Sequence, residues 1–115
     1  MRLASFYVGT GEHYNWTERI QREEEALAAL TKISGGASAF PGRGAWRRDS
    51  GDVVTEANLR FDIVVEHVGE VTRALKVLFR TYEAEESILV YDPASPTDEA
   101  PFFAQRGAYE PLNAV

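Results

Sequence analysis

From Asn58 to Glu66 the residues Leu59, Phe61, Ile63 and Val65 interleave with Asn58, Arg60, Asp62 and Glu66. A period of two marks a strand with one face buried and the other mostly wet. The strand is expected to run from Val53 to Glu66, and it needs partners along its edges and a layer over its apolar face.

The flanking sequence supplies both. Leu3 to Val8 are largely apolar or aromatic and end at Gly9-Thr10-Gly11, which reads as a strand and a turn. Asn15 and Glu18 have the spacing of a capping box, and Ile20, Leu27, Leu30 and Ile33 then recur at helical intervals. Gly35-Gly36 predicts a left-handed helix end. Ala37 to Phe40 predicts a short strand stopping at Pro41-Gly42 and resuming over 45–48 after a bulge, with Asp49-Ser50-Gly51-Asp52 as the hairpin turn. Val68, Val71, Leu75, Leu78 and Tyr82 predict a second helix, and Ser87 to Tyr91 a last strand. The order strand, helix, strand, strand, helix, strand points to an α+β fold, the ferredoxin-like βαββαβ two-layer sandwich. A four-stranded antiparallel sheet would carry two helices on one face. Residues 1–92 form this domain on the sequence reading. Residues 93–115 hold four of the five prolines and are expected to be an irregular C-terminal tail, whose Phe102 and Phe103 would be the docking residues if the chain is a structural component of a larger assembly.

At 115 residues the chain has room for one domain, and the absence of cysteine excludes a disulfide scaffold and cysteine catalysis. The net charge of −6 is local: between Arg80 and Arg106 stand six carboxylates and no cation. Such a segment repels phosphate backbones, so nucleic-acid binding is disfavoured. No apolar run suggests a signal peptide or a membrane span, and a cytoplasmic location is expected.

The candidate chemistry is sparse. Gly9-Thr10-Gly11 lacks the further glycine and the lysine of the phosphate-binding loops, and so reads as a turn. His13 and His67 fall in different loops without metal-ligand spacing; no metal and no cofactor are expected, and His13 is the one candidate acid or base. Trp46, Arg47 and Arg48, together with Arg60 on the open face of the long strand, combine guanidinium groups with an indole. That combination suits an anionic or planar ligand. The open face would hold Asn58, Arg60, Asp62, Val64 and Glu66, and self-association through it, through a strand edge or through the tail is expected.

The run Gly44-Ala45-Trp46-Arg47-Arg48, the turn Gly51-Asp52 and the glutamate Glu56 beyond it resemble a family of small uncharacterised ferredoxin-like α+β proteins of bacteria and phages. Glu85 to Val90 resembles that family's last strand. The resemblance implies the fold and no established activity. The expectation is a non-enzymatic binding protein, a small homo-oligomer, phage-encoded, taking a host protein or a small anionic metabolite. The alternative is a small enzyme acting on a phosphate- or carbonyl-bearing substrate with His13 as acid or base.

Overall fold

A computed structural model describes residues 1–11, 13–94 and 101–109. The elements are β1 (Arg2–Gly9), α1 (Trp16–Thr31), β2 (Ala37–Arg47), β3 (Val53–Val65), α2 (Glu70–Thr81), β4 (Ser87–Tyr91), β5 (Phe102–Gln105) and the single-turn α3 (Arg106–Tyr109). The strands form one sheet in the order β2-β3-β1-β4-β5, with every neighbouring pair antiparallel. The first four strands have the expected ferredoxin-like arrangement.

Alternation decides which face is buried. Leu59, Phe61, Ile63 and Val65 of β3 turn inward with Ala4, Phe6 and Val8 of β1 and Ile88 and Val90 of β4. Ala26 and Leu30 of α1 and Ala74, Leu75 and Leu78 of α2 complete the core. Each of the larger aliphatic side chains contributes about 1.5–3 kcal/mol by leaving water.

The helix ends follow local chemistry. At α1 the Glu18 amide donates to Asn15 Oδ1 at 2.8 Å and the Asn15 amide to Glu18 Oε1 at 3.5 Å, which is the expected capping box. Its C-terminus departs from expectation. The cap residue Lys32 is right-handed, and the Ser34 hydroxyl reaches the carbonyls of Leu30 at 3.2 Å and Gly36 at 3.0 Å. Among the described residues only Gly51 and Gly69 have positive φ, 94° and 90°. Gly35 and Gly36 instead let the chain pass close to Val64, whose carbonyl and amide bond Gly35 and Gly36. Left-handed Gly69 starts α2 at Glu70, so Val68 precedes the helix and is fully exposed rather than heading its buried stripe. Glu70 is buried, and its carboxylate accepts from the Glu66 amide at 2.8 Å; that bond, more than the neighbouring His67 and Arg73, holds its pKa below the usual range.

Two further expectations are corrected. β2 is unbroken through Pro41-Gly42, pairing continuously with β3 from Ala37↔Ile63 to Arg47↔Val53. Proline is tolerated because β2 is an edge strand, where a missing N–H leaves no ladder bond unmade. The sheet also has five strands, not four. Phe102–Gln105 pairs with β4 from Ser87↔Gln105 to Val90↔Phe102, so this part of the proline-rich segment is regular. Ala104 is buried, Phe102 packs against the core, and Phe103 points outward at 64% exposure. The rest of the expected tail, 95–100 and 110–115, lies outside the described residues.

Because β1 covers β3 only from Asn58 to Val65, the far part of the β2–β3 hairpin is paired only with itself. It projects beyond the body of the sheet as a two-stranded ribbon. It closes through Arg48 and Asp52, whose amide-to-carbonyl bond is 2.8 Å, with Gly51 at the reversal.

Candidate functional site

In an antiparallel ladder, directly paired residues share a face. On the side away from the helices, the hairpin therefore carries successive pairs: Trp46 with Val54, Gly44 with Glu56, Gly42 with Asn58, Phe40 with Arg60 and Ser38 with Asp62. β1 continues three of these rows, setting Gly9 beside Asn58, Tyr7 beside Arg60 and Ser5 beside Asp62. Glycine thus flanks Asn58 on both sides and leaves a floor without side chains.

The clearance is used. A Cβ on Gly42 would meet Asn58 Oδ1 at 2.9 Å, and one on Gly44 would meet Asn58 Nδ2 at 3.1 Å. A Cβ on Gly9 would meet Glu56 Oε1 at 2.7 Å and Glu85 Oε2 at 3.3 Å, while Glu56 Oε2 stands 3.3 Å from the same point on Gly11. Glu56 of β3 and Glu85, just before β4, thus converge over the end of β1. The half-buried Glu85 carboxyl is pushed above its ordinary pKa, first by burial and next by the charge of Glu56; His13 and Arg106 pull it back. Two carboxylates in one small volume make a site for a cation or a shared proton.

The walls are fixed from behind. The amides of Thr10 and Gly11 both donate to the Ala57 carbonyl, at 3.0 and 3.3 Å. Tyr14 is buried, its hydroxyl accepts from the Ala84 amide at 3.0 Å, and the Arg22 guanidinium lies 4.6 Å from its ring. Arg22 also donates to the Thr81 carbonyl at 2.6 Å and pairs with Glu83 at 3.0 Å. Arg19 donates to the carbonyls of Gly11 and Tyr14. Behind Glu85, Arg106 donates to the carbonyls of Glu85 and Tyr82, each at 2.7 Å.

The residues singled out from sequence are distributed around this cradle. Trp46 is on its outer side, on the same face and 47% exposed. Arg60 is on its inner side, its guanidinium 4.4 Å from the Phe40 ring and its Nε 3.2 Å from Asp62 Oδ1 in an ion pair; the same Oδ1 accepts a hydrogen bond from the Ser5 hydroxyl at 2.7 Å. Trp46 and Arg60 are six positions apart in register, a span of about 20 Å along the ribbon, so one chain does not bring them into contact. Arg47 faces the opposite side, and Arg48 opens the turn. His13 is exposed in the β1–α1 loop. His67 lies at the far end of β3. Glu85 was not singled out for the site, and Glu56 entered only through the resemblance. Nothing in the linear spacing brings the two together, and the visible signal was the pair of glycines at Gly9 and Gly11. Among the described residues no group of three or more His, Asp or Glu is placed to hold a metal ion.

No family model matches the chain, and none of the curated proteins matches it in sequence. Solved structures do match in fold. A phage SAM lyase in complex with S-methyl-5'-thioadenosine aligns with a TM-score of 0.53 at 22% identity, over 91% of this chain and 81% of that one. CutA from Synechococcus elongatus aligns at 0.50 and 16%, covering 92% and 80%. The periplasmic divalent cation tolerance protein CutA from Archaeoglobus fulgidus aligns at 0.51 and 7%, covering 84% and 89%. The ferredoxin-like α+β fold read from the strand order is therefore shared with small proteins of phage, bacterial and archaeal origin.

Proposed function

We propose that the chain binds a cationic adenosyl sulfonium of the S-adenosylmethionine type in the cradle over Gly9 and breaks a carbon–sulfur bond in it. The observation that carries this reading is the convergence of Glu56 and Glu85 on one glycine-cleared point. Paired carboxylates over bare backbone suit a compact organic cation, and the lyase of like fold holds S-methyl-5'-thioadenosine, the neutral thioether that such a cleavage releases. Positive charge disappears from sulfur as the bond breaks, so a carboxylate paired only with sulfur would favour substrate over transition state. The acidic pair is assigned to binding and orientation. No water enters the step: a carboxylate oxygen of the substrate bonds to the carbon that sulfur leaves, the carbon–sulfur electron pair passes to sulfur, and the products are a lactone and the neutral thioether. The test is to incubate the protein with S-adenosylmethionine and follow S-methyl-5'-thioadenosine by chromatography. Turnover that falls at least about tenfold in Glu56→Gln supports the assignment. No binding by calorimetry and no product would end it.

Self-association belongs to the same reading. The open face exposes Leu3, Phe40, Trp46, Tyr91 and Phe103, and the hairpin ribbon extends past its own sheet. A homo-oligomer in which one protomer's ribbon crosses its neighbour's open face would cover these side chains and bring Trp46 toward a second cradle. Native mass spectrometry should give a discrete oligomer; a monomer at micromolar concentration would count against it.

A second reading keeps a non-enzymatic, phage-encoded cytoplasmic binding protein for a host protein or a small anionic metabolite. It rests on Arg47 and Arg48, exposed beside Trp46 and without an ion pair among the described residues, with Arg60 of a neighbouring protomer completing the site. Trp46→Ala with Arg48→Ala would abolish that binding and leave sulfonium binding to an isolated cradle unchanged. His13 as acid or base belongs to a separate enzymatic alternative, with a phosphate- or carbonyl-bearing substrate, and takes no part in the sulfonium cleavage.

A further inference from the structure

On the helix layer, opposite the open face, α1, α2 and α3 enclose a groove of about 920 Å³. Its floor is apolar: Ala29 and Ile33 from the end of α1, Val77 from α2, and the ring of Phe79 with Tyr109 stacked on it at 6.0 Å. Its rim is basic. Lys32, Arg73, Lys76 and Arg80 line it, Arg106 stands at one end, and among the described residues no carboxylate belongs to the lining. In a chain of net charge −6, both lysines are found here. Among the described residues Lys32, Arg73, Lys76 and Arg80 make no ion pair. An apolar groove rimmed by cations that make no ion pair attracts an anion that also has apolar surface to bury.

The spacing of the cations narrows the occupant. Arg73, Lys76 and Arg80 follow one edge of α2 at intervals of three and four residues, so they are strung over about 10 Å rather than gathered on one point. A single phosphate or carboxylate head group would engage one of them and leave the others unused. Nucleic acid would have the charges but would lack free rings to stack on, since Phe79 is buried against Tyr109 and the Arg106 guanidinium.

We propose that this groove docks an acidic amphipathic helix of a partner protein, its apolar side chains on Ile33 and Val77 and its carboxylates along Arg73, Lys76, Arg80 and Lys32. The site is separate from the cradle, and the proposal does not depend on the reading of the cradle. The probe is a fluorescein-labelled synthetic peptide of about four helical turns with one leucine face and glutamates on both flanks. Its binding to the full chain is read by anisotropy, with amide shifts of Ala29, Ile33 and Val77 followed by NMR. The peptide should bind and shift those amides. Binding should weaken at least about tenfold in the double variant K76E/R80E, whose sites are exposed, and weaken again with added salt. Trp46→Ala should bind the peptide as the unaltered protein does. Circular dichroism of the double variant checks that it is folded; if it is not, Lys32→Glu at the opposite rim takes its place. Equal binding by the charge-reversed protein would overturn the proposal, as would no binding. Tighter binding of oligo-dT or of anionic phospholipid vesicles than of the peptide would overturn it in favour of those surfaces.

Discussion

Gly9 shows how one missing methyl group shapes a site. A Cβ there would stand 2.7 Å from Glu56 Oε1, but the obstacle is the end of a flexible side chain, so Gly9→Ala should fold with little change in melting temperature. The Glu56 carboxylate would swing away, and S-adenosylmethionine affinity, measured by calorimetry, should fall by about tenfold. Glu85 adds a pH signature. Its pKa is raised, so binding that needs the ionised carboxyl should fail at a higher pH than an ordinary glutamate would allow, and Glu85→Gln should remove that dependence. Asp92 has the opposite sign. Its bonds with Arg2 hold its pKa below the usual value. It therefore contributes stability above about pH 4 that is lost as pH falls through the lowered folded value. Chemical denaturation at pH 7 should show Arg2→Ala losing about 1–2 kcal/mol, with much of the difference gone in strong acid. Tyr82 is fully buried and its hydroxyl has no hydrogen-bond partner among the described residues. Tyr82→Phe should leave stability unchanged or raise it by about 1 kcal/mol, a rise of several degrees in melting temperature.

At the scale of the element, what could be read from sequence was what depends on neighbours along the chain. The alternation of β3 and the Asn15–Glu18 box are local and came out as expected; Asn15→Ala should cost about 1 kcal/mol by thermal denaturation. The misread places depend on partners distant in sequence. Pro41 is harmless because β2 has no outer neighbour, and Gly42 and Gly44 make room for Asn58 rather than mark a bulge. The four residues of β5 are too few to show a period and are preceded by prolines. Their order comes from β4 and from Arg106, which ties the chain to the carbonyls of Tyr82 and Glu85. The candidate site was half legible for the same reason: Trp46 and Arg60 announce themselves by type, whereas Glu56 and Glu85 meet only after β1 has been inserted between their strands.

At the scale of the whole molecule, the surface divides by charge and polarity into regions with different uses. The open sheet face is aromatic with an acidic cradle at its end, and the helix layer carries the basic groove. Among the described residues no helix is long and apolar enough to cross a membrane. The position of β1 has a consequence for synthesis. β1, made before β3 and β4, is the central strand, bonded on one side to β3 and on the other to β4. It cannot be satisfied until most of the chain has emerged, and β4 in turn waits for β5. The nascent protein therefore carries β1 with no partner until β3 is made and with one open edge until β4 is made. An edge left open that long is exposed to pairing with other chains until β4 closes it.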